Sequence, residues 1–217
     1  MNIVWQGHAF FHITTTPQKN SLIKIAIDPY EKSIGLRLPK TEADVLLITH
    51  EHHDHNNIKA VSGNPFLVEG PGEYDIKNIF IHGIPSFHDE NQGKERGENT
   101  IYVIESEGLK ICHMGDFGQK ELTDEQLEKI GDVDILMIPV GGTYTISAQE
   151  ALKIVSQLEP HITIPMHYSL PNLKIKLDPV SKFLKAFGLK SLKPIKKLSI
   201  KKRDISPDEA KIIVMEK

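Results

Sequence analysis

Cysteine is almost absent from the sequence, and long apolar runs are missing. Cys112 is the one cysteine among 217 residues, so no intramolecular disulfide can form, which suits a reducing compartment. No stretch approaches the ~20 apolar residues of a membrane helix. The first residues, 1–8, lack a basic region followed by an apolar segment. We therefore expect no signal peptide, no membrane partner and, by default, a cytoplasmic location.

An excess of charge of one sign is also lacking, since the formal net charge is -3. This balance implies no global attraction to nucleic acid or membrane. With 39% hydrophobic and 25% charged residues, the composition is typical of globular proteins. The length fits one domain spanning residues 1–217.

One segment departs from this balance. Residues 174–203 contain eleven Lys and Arg residues and a single acid, Asp178. Two interpretations stay open: a solvated face of the last helix and strands, or a surface that attracts an anionic substrate or RNA.

Histidine, in contrast, is abundant. The chain has eleven, and histidine is the commonest metal ligand. Four of them fall in the stretch Thr49-His50-Glu51-His52-His53-Asp54-His55, which follows the apolar run 43–48. The run predicts a buried strand, and α/β folds place their chemistry where such strands end. We infer a metal site at this point.

The spacing within the stretch favours two metal ions. His50 and His52 are two residues apart, so an extended backbone directs both side chains the same way. Asp54 and His55 stand where the chain turns and so face a different point nearby. Imidazole with carboxylate suits zinc, manganese or iron, and the lack of thiolates favours a catalytic site with an open position.

Hydrophobic periodicity predicts short strands and few helices. Strands are expected at 2–5, 10–15, 22–27, 44–49, 65–69, 76–82, 84–87, 100–105, 109–113, 134–139, 161–166, 197–201 and 211–215. Helices are expected at 56–61, 123–130, 147–158 and 179–187. Asp54 is expected to cap the first helix, Pro29 to hold Asp28 in an extended conformation, and residues 70–74 to form a turn.

Other potential ligands stand at the ends of distant strands. His88, Asp116 and His167 each follow a predicted strand, as do His8 and Asp28 earlier in the chain. Neighbouring strand ends meet at one edge of a sheet, so these side chains are expected to converge. His113 also ends a strand and competes with His88 as the third histidine ligand.

Together these positions resemble the metallo-β-lactamase superfamily of metal-dependent hydrolases. His50, His52, Asp54 and His55 match its HxHxDH motif, and its remaining motif positions are matched by Asp28, His88, Asp116 and His167. The stretch 5–9 and the pair Asn99-Thr100 further resemble the branch that includes L-ascorbate-6-phosphate lactonase.

The resemblance implies a four-layer αββα sandwich, an α/β fold, that binds two divalent metal ions. Zinc is expected first, with manganese or iron as alternatives. One ion would take His50, His52 and His88, and the other Asp54, His55 and His167. Asp116 would bridge the two ions, and Asp28 would lie below them and orient the motif.

The favoured hypothesis is a metal-dependent hydrolase whose metal-bridging water attacks an ester, lactone or phosphoester. Asp54 or His8 would pass a proton to the leaving group, and the expected substrate is a small, anionic molecule. One alternative is a nuclease or phosphodiesterase acting on RNA or cyclic nucleotides, and another is a non-catalytic metal-binding module. The sequence leaves the oligomeric state open.

Overall fold

A computed structural model describes residues 1–206 and 209–217, and most of its strands form two sheets. The strands are β1 (Asn2–Gly7), β2 (Phe10–Gln18), β3 (Ser21–Ile27), β4 (Thr41–Glu42), β5 (Val45–Ile48), β6 (Val61–Ser62), β7 (Phe66–Glu69), β8 (Gly72–Ile76), β9 (Ile79–Phe87), β10 (Glu98–Ser106), β11 (Leu109–His113), β12 (Ile135–Pro139), β13 (Ile162–Met166), β14 (Leu198–Ser199) and β15 (Lys211–Ile212). The first sheet has the order β14-β1-β2-β3-β5-β7, and the second has the order β15-β13-β12-β11-β10-β9-β8. Strands β4 and β6 form a small separate pair.

The α-helices are α1 (Asp124–Ile130), α2 (Ala148–Leu158) and α3 (Val180–Ala186). Thr123 and Gln126 form the predicted capping box of α1, and Ser147 and Glu150 form that of α2. The buried residues of all three helices belong mainly to the core that contains both sheets. Within the described ranges, no helix is both long and apolar enough to cross a membrane.

Both faces of the first sheet are covered by apolar clusters. Successive apolar residues of its strands point alternately to one face and to the other. Ile25, Ile27 and Leu47 pack into the main core between the sheets, whereas Ala26 and Leu46 face a second apolar cluster. Tyr30, Ile34, Leu36 and Val61 also belong to that second cluster, so loops, a 3₁₀ turn and strand β6 cover the outside of this sheet. The expected mixed α/β fold is confirmed.

The directions of the parallel strands determine where the candidate site residues lie. Strands β3, β5 and β7 are parallel neighbours in the first sheet, and β11, β12 and β13 are parallel neighbours in the second. Parallel neighbours place their carboxyl ends at the same edge of a sheet. The loops that follow these strands therefore meet at one end of the molecule.

Local predictions are wrong in two stretches of this part of the chain, 54–61 and 70–74. The helix expected at 56–61 is a single 3₁₀ turn, Ile58–Ala60, which has no side-chain cap. The Asp54 carboxylate instead lies 3.0 Å from the His8 ring.

The turn expected at 70–74 is largely strand β8, which pairs with one continuous strand, β9. At Gly83 a side chain would meet the carbonyl oxygen of Gly70 at 2.7 Å, so only glycine allows this close approach.

Candidate metal centre

Strand ends from both sheets meet at this end of the molecule. Strands β1 and β3 lead into His8 and Asp28, and β5 leads into the stretch 49–55. From the second sheet, β9 leads into His88, β13 leads into His167, and β11 leads to Asp116 three residues on. The convergence expected from the positions of these residues in the sequence is present in the structure.

The potential ligands fall into three overlapping groups. His50, His52 and His88 form one, and His8, Asp54, His55 and His167 form another. The third contains His50, His55 and Asp116 and connects the first two. In each group, one nitrogen or carboxylate oxygen per residue lies within 4.8 Å of those of the other members.

Asp116 lies between the two histidine groups. Its Oδ2 atom is 3.1 Å from His88 Nε2 and 3.2 Å from His167 Nε2. Its Oδ1 atom is 3.3 Å from His55 Nε2. One carboxylate therefore contacts rings from both groups, which is the arrangement that a ligand shared by two ions requires.

A buried carboxylate orients two of the histidine rings from below. Asp28 Oδ2 lies 3.0 Å from His55 Nδ1 and accepts the Thr49 hydroxyl proton at 2.7 Å. That hydroxyl has one proton, so His50 Nδ1, at 2.9 Å, must donate to its oxygen. Both rings are thus protonated at Nδ1, which leaves the Nε2 lone pairs of His50 and His55 for a metal.

Several site residues have a left-handed backbone at, or just beyond, the end of a strand. The φ angles are 57° at His8, 52° at Asp28, 51° at His167 and 56° at Gly115. The prediction that Asp28 is extended is therefore wrong. The following proline disfavours the left-handed conformation of Asp28. Three hydrogen bonds to the Asp28 carboxylate, from the Thr49 amide, the Thr49 hydroxyl and the His55 ring, outweigh this steric cost. Strained backbone of this kind is common at functional sites.

The electrostatics keep the carboxylates ionised. Burial opposes ionisation of Asp54 and Asp116, but the surrounding histidines hold the pKa of each carboxyl well below its usual range. Burial, aided by His55, lowers the pKa of His50 well below its ordinary value. Burial also lowers the pKa of His8 to about 4, with a smaller effect from His167. Neutral imidazoles and ionised carboxylates are the forms that bind metal ions.

His55 behaves differently from these neighbours. Its burial lowers the pKa, yet the Asp116 and Asp54 carboxylates outweigh that effect and raise the pKa of His55 well above its ordinary value. The surroundings of this ring therefore favour a positive charge at its Nε2 atom. A divalent cation bound to this nitrogen would supply that positive charge.

The donor atoms fit a bound cation. His50 Nε2, His55 Nε2 and Asp116 Oδ1 are buried and have no hydrogen-bond partner among the described residues. Buried polar atoms are normally paired, so unpaired nitrogen and oxygen donors that face a common point are suited to a metal. Nitrogen with carboxylate oxygen is a donor set typical of zinc, manganese and iron sites.

Three nearby residues lie outside the ligand groups. His113 Nε2 is 3.0 Å from the Ala9 carbonyl, and His113 Nδ1 accepts the Gly115 amide proton, so both ring nitrogens are engaged. His53 exposes 62% of its side chain. Glu51 accepts a hydrogen bond from Asn56. The structure thus brings His88, and not His113, into the cluster.

Comparisons with known proteins give the family. A family profile described as a beta-lactamase superfamily domain matches residues 2–167. A solved structure from Thermotoga maritima, described within the metallo-beta-lactamase superfamily, is 36% identical, with a TM-score of 0.79. The alignment covers 99% of this chain and 97% of that chain. This chain belongs to the metallo-β-lactamase superfamily.

Two relatives carry the same name, UPF0173 metal-dependent hydrolase. The one from Thermococcus onnurineus is 32% identical over 75% of this chain and 82% of its own length. The one from Thermoplasma volcanium is 31% identical over 83% of this chain and 88% of its own length. The predicted superfamily is thereby confirmed, whereas the narrower lactonase-like branch stays a prediction.

Sequence reasoning did not assign roles to two residues that support the centre of this superfamily member. Thr49 connects Asp28 to His50, as described above. Asn99 donates to the Met114 carbonyl and accepts the Asp116 amide proton at 3.0 Å, which fixes the turn that carries Asp116. The position of Thr49 next to the motif marked it as a candidate, but its role depends on the pairing of β3 with β5, and the role of Asn99 depends on the pairing of β10 with β11.

The centre opens into a cavity of about 570 Å³. His52, Asp54, His88, Asp116 and His167 line its floor. The walls of the cavity include His53, Glu95, Arg96, Tyr144, Lys174, Ile175 and Lys176. A volume of this size is within the range of small-molecule sites.

Proposed function

We propose that this chain is a hydrolase that holds two divalent metal ions and cleaves an ester, lactone or phosphoester bond in a small molecule. The observation that carries the proposal is the position of Asp116 between two histidine groups on the floor of an open cavity. Zinc is the expected metal, with manganese or iron as alternatives.

Each residue of the cluster has a distinct role in this proposal. His50, His52 and His88 would hold one ion, and Asp54, His55 and His167 the other, with Asp116 shared. Asp28 and Thr49 keep the rings of His50 and His55 in the orientation that presents Nε2. Bound divalent ions supply Lewis acidity and a nucleophilic water at neutral pH.

The pair Asp54 and His8 is suited to proton transfer. His8 Nε2 lies 3.0 Å from Asp54 Oδ2, and the carboxylate also lines the cavity. Hydrolysis adds water across the bond, so a proton must reach the leaving oxygen as the bond breaks. We assign this transfer to Asp54 Oδ2: the ionised carboxylate would accept a proton from the attacking water and pass it to the leaving oxygen, with His8 as the hydrogen-bond partner that positions the carboxylate.

The distribution of the basic segment 174–203 favours a small substrate over RNA. Lys174 and Lys176 line the cavity, and Lys185 and Lys190 lie beside a separate surface hollow near α3. Lys202 forms an ion pair with Asp134. These five residues therefore lie at three separate places, which supports a small substrate over a nucleic-acid backbone contacted along its length.

The proposal is tested with Asp54→Ala and His50→Ala. Both substitutions remove a ligand, so turnover of small esters, lactones or phosphoesters by zinc-loaded enzyme should fall by about a thousandfold or more. Bound metal, measured by elemental analysis, should fall in parallel. His82→Ala is the matched control, since His82 lies in β9 outside the cluster.

Either of two results would contradict this assignment. Full activity in a folded Asp54→Ala or His50→Ala enzyme would exclude the roles given to these residues. Zinc-loaded wild type that hydrolyses no member of a broad panel of lactones, esters and phosphoesters would favour a non-catalytic metal-binding module.

A further inference from the structure

One wall of the cavity is a segment in which burial alternates residue by residue. Residues 173–177 read Leu-Lys-Ile-Lys-Leu. Leu173 and Ile175 pack against the second apolar cluster, and Leu177 is buried, whereas both lysines are exposed and line the cavity. Leu173 and Leu177 therefore anchor the segment on either side of the two lysines, and Ile175, which also lines the cavity, anchors it between them.

Backbone hydrogen bonds hold this segment at both ends. The Lys174 amide donates to the Ile34 carbonyl at 2.8 Å, and the Asp178 amide donates to the Gly141 carbonyl at 2.8 Å. The positions of the two lysine backbones are thus set by the fold, and only their long side chains need to adapt to a ligand.

A second wall is the loop that directly follows His88. The buried Asp89 carboxylate accepts backbone hydrogen bonds from Asn91, Gly93, Glu95 and Arg96, at 2.7 to 3.0 Å. This network shapes the loop so that Arg96 reaches the cavity, where its guanidinium carbon lies 6.0 Å from the centre of the Tyr144 ring. The ring face favours a nearby cation.

The charges of the walls differ in sign from those of the floor. Carboxylates on the floor belong to Asp54 and Asp116, both assigned to the metal centre. On the walls, Glu95 lies 3.8 Å from Arg96. Among the residues that the structure describes, neither wall lysine has an acidic partner within 4.0 Å. The walls therefore carry an excess of positive charge next to the site of bond cleavage.

We propose that Lys174, Lys176 and Arg96 form an anion subsite that binds a carboxylate or phosphate group of the substrate remote from the bond that is cleaved. The inference rests on the proposed function, because the subsite and the metal centre share one cavity. It defines the substrate class as a small ester, lactone or phosphoester that also carries a carboxylate or phosphate group away from the bond that is cleaved.

Equilibrium binding tests the subsite without any turnover. Methylphosphonate and acetate are titrated calorimetrically into zinc-loaded wild type, Arg96→Gln and the double variant Lys174→Gln/Lys176→Gln. At least one probe should bind, and its affinity should fall about tenfold in the double variant. The probe that loses affinity identifies the subsite as one for phosphate or for carboxylate.

The matched control is Lys185→Gln/Lys190→Gln, which removes the same charge from the same basic segment at a separate surface hollow. The affinity of this control variant for the probe should stay within about twofold of that of wild type. Equal affinity in wild type and Lys174→Gln/Lys176→Gln would overturn the subsite, since the probe would then bind elsewhere. So would wild-type binding weaker than about 10 mM for both probes.

Kinetics separates this proposal from the proposed function. Nitrophenyl acetate and nitrophenyl hemisuccinate share a leaving group, but only the hemisuccinate carries a remote carboxylate. The lysine double variant should raise KM for the hemisuccinate with little change in kcat, and should leave the acetate unaffected. Equal loss on both esters would contradict the subsite. If wild type hydrolyses neither ester, the proposed function is weakened, while the binding experiment still decides the subsite.

Discussion

At the scale of single residues, Asp28 shows how a carboxylate away from the cavity can organise the whole centre. It is fully buried and accepts hydrogen bonds from the Thr49 amide, the Thr49 hydroxyl and the His55 ring. Through these bonds it sets which nitrogen of His50 and of His55 carries the proton. The metal affinity of the centre should therefore depend on a residue that we do not assign as a ligand.

Asp28→Asn should weaken zinc binding by about 10- to 100-fold. Asparagine tolerates the left-handed backbone at this position, but its amide group cannot accept all three hydrogen bonds of the carboxylate. Chelator competition on folded protein measures the change. Asp44→Asn is the control, because Asp44 accepts the Lys24 amide proton away from the metal cluster. Equal zinc affinity in Asp28→Asn and wild type would refute the orienting role.

Chemistry-bearing residues at strand ends were largely predictable from the sequence, because each potential ligand follows an apolar run. The role of Thr49 was not, since it depends on the parallel pairing of β3 with β5, which brings Asp28 close. The left-handed conformation of Asp28 was also missed. The prediction of an extended Asp28 considered only steric contact with the following proline. It did not consider the hydrogen bonds that the Asp28 carboxylate accepts.

At the scale of elements, the turn after β11 is a tightly constrained connection in the centre. Gly115 has a φ of 56°, and a side chain there would meet Asn99 Oδ1 at 2.3 Å and Thr49 Cβ at 2.8 Å. The same Asn99 side chain fixes the amide of Asp116. The turn therefore requires glycine both for its conformation and for its packing.

Gly115→Ala should destabilise the fold by about 2 to 4 kcal/mol and displace Asp116. Gly188→Ala is a matched control, because Gly188 also has a positive φ, 73°, yet no atom lies within 4 Å of the position of its new side chain. That control should lose only about 1 kcal/mol. Denaturant unfolding and zinc content measure both effects, and similar losses in the two variants would contradict the packing argument.

The capped helices α1 and α2 were predictable because their signals are local, as in the capping boxes at Thr123 and Ser147. Strand β8 was not, because it begins within Gly70-Pro71-Gly72, a sequence typical of a turn. It forms a strand only because β9 offers an edge on which Gly83 leaves room. A strand that forms only by pairing with another strand cannot be predicted from its local sequence pattern alone.

At the scale of the whole molecule, the metal centre requires both sheets to be held in register. Glu107, in the turn between β10 and β11, reaches across to the first sheet. Its carboxylate accepts the Thr15 hydroxyl proton at 2.7 Å and the Thr16 amide proton at 2.6 Å. Burial raises the pKa of this carboxyl, but these hydrogen bonds outweigh burial and lower the pKa below its ordinary value.

Glu107→Gln should reduce the free energy of unfolding by about 1 kcal/mol at pH 7. A carboxyl whose pKa is lowered by folding stabilises the protein above its unfolded pKa, and this stabilisation is lost as the pH falls through the folded value. The difference between wild type and variant should therefore disappear in acid. Denaturant unfolding across pH checks this, with Glu105→Gln, an exposed pair with Lys110, as a near-neutral control. A difference that persists unchanged in acid would contradict the assignment.

The measurement that tests the account most directly is the metal content of the purified, folded chain. We predict about two zinc ions per wild-type chain at saturation and neutral pH. His88→Ala should bind fewer, whereas His82→Ala, in the same strand, should bind as many as wild type. A folded wild-type chain that binds no zinc at neutral pH, or a His88→Ala chain with full zinc content, would contradict the assignment of these residues as a metal centre.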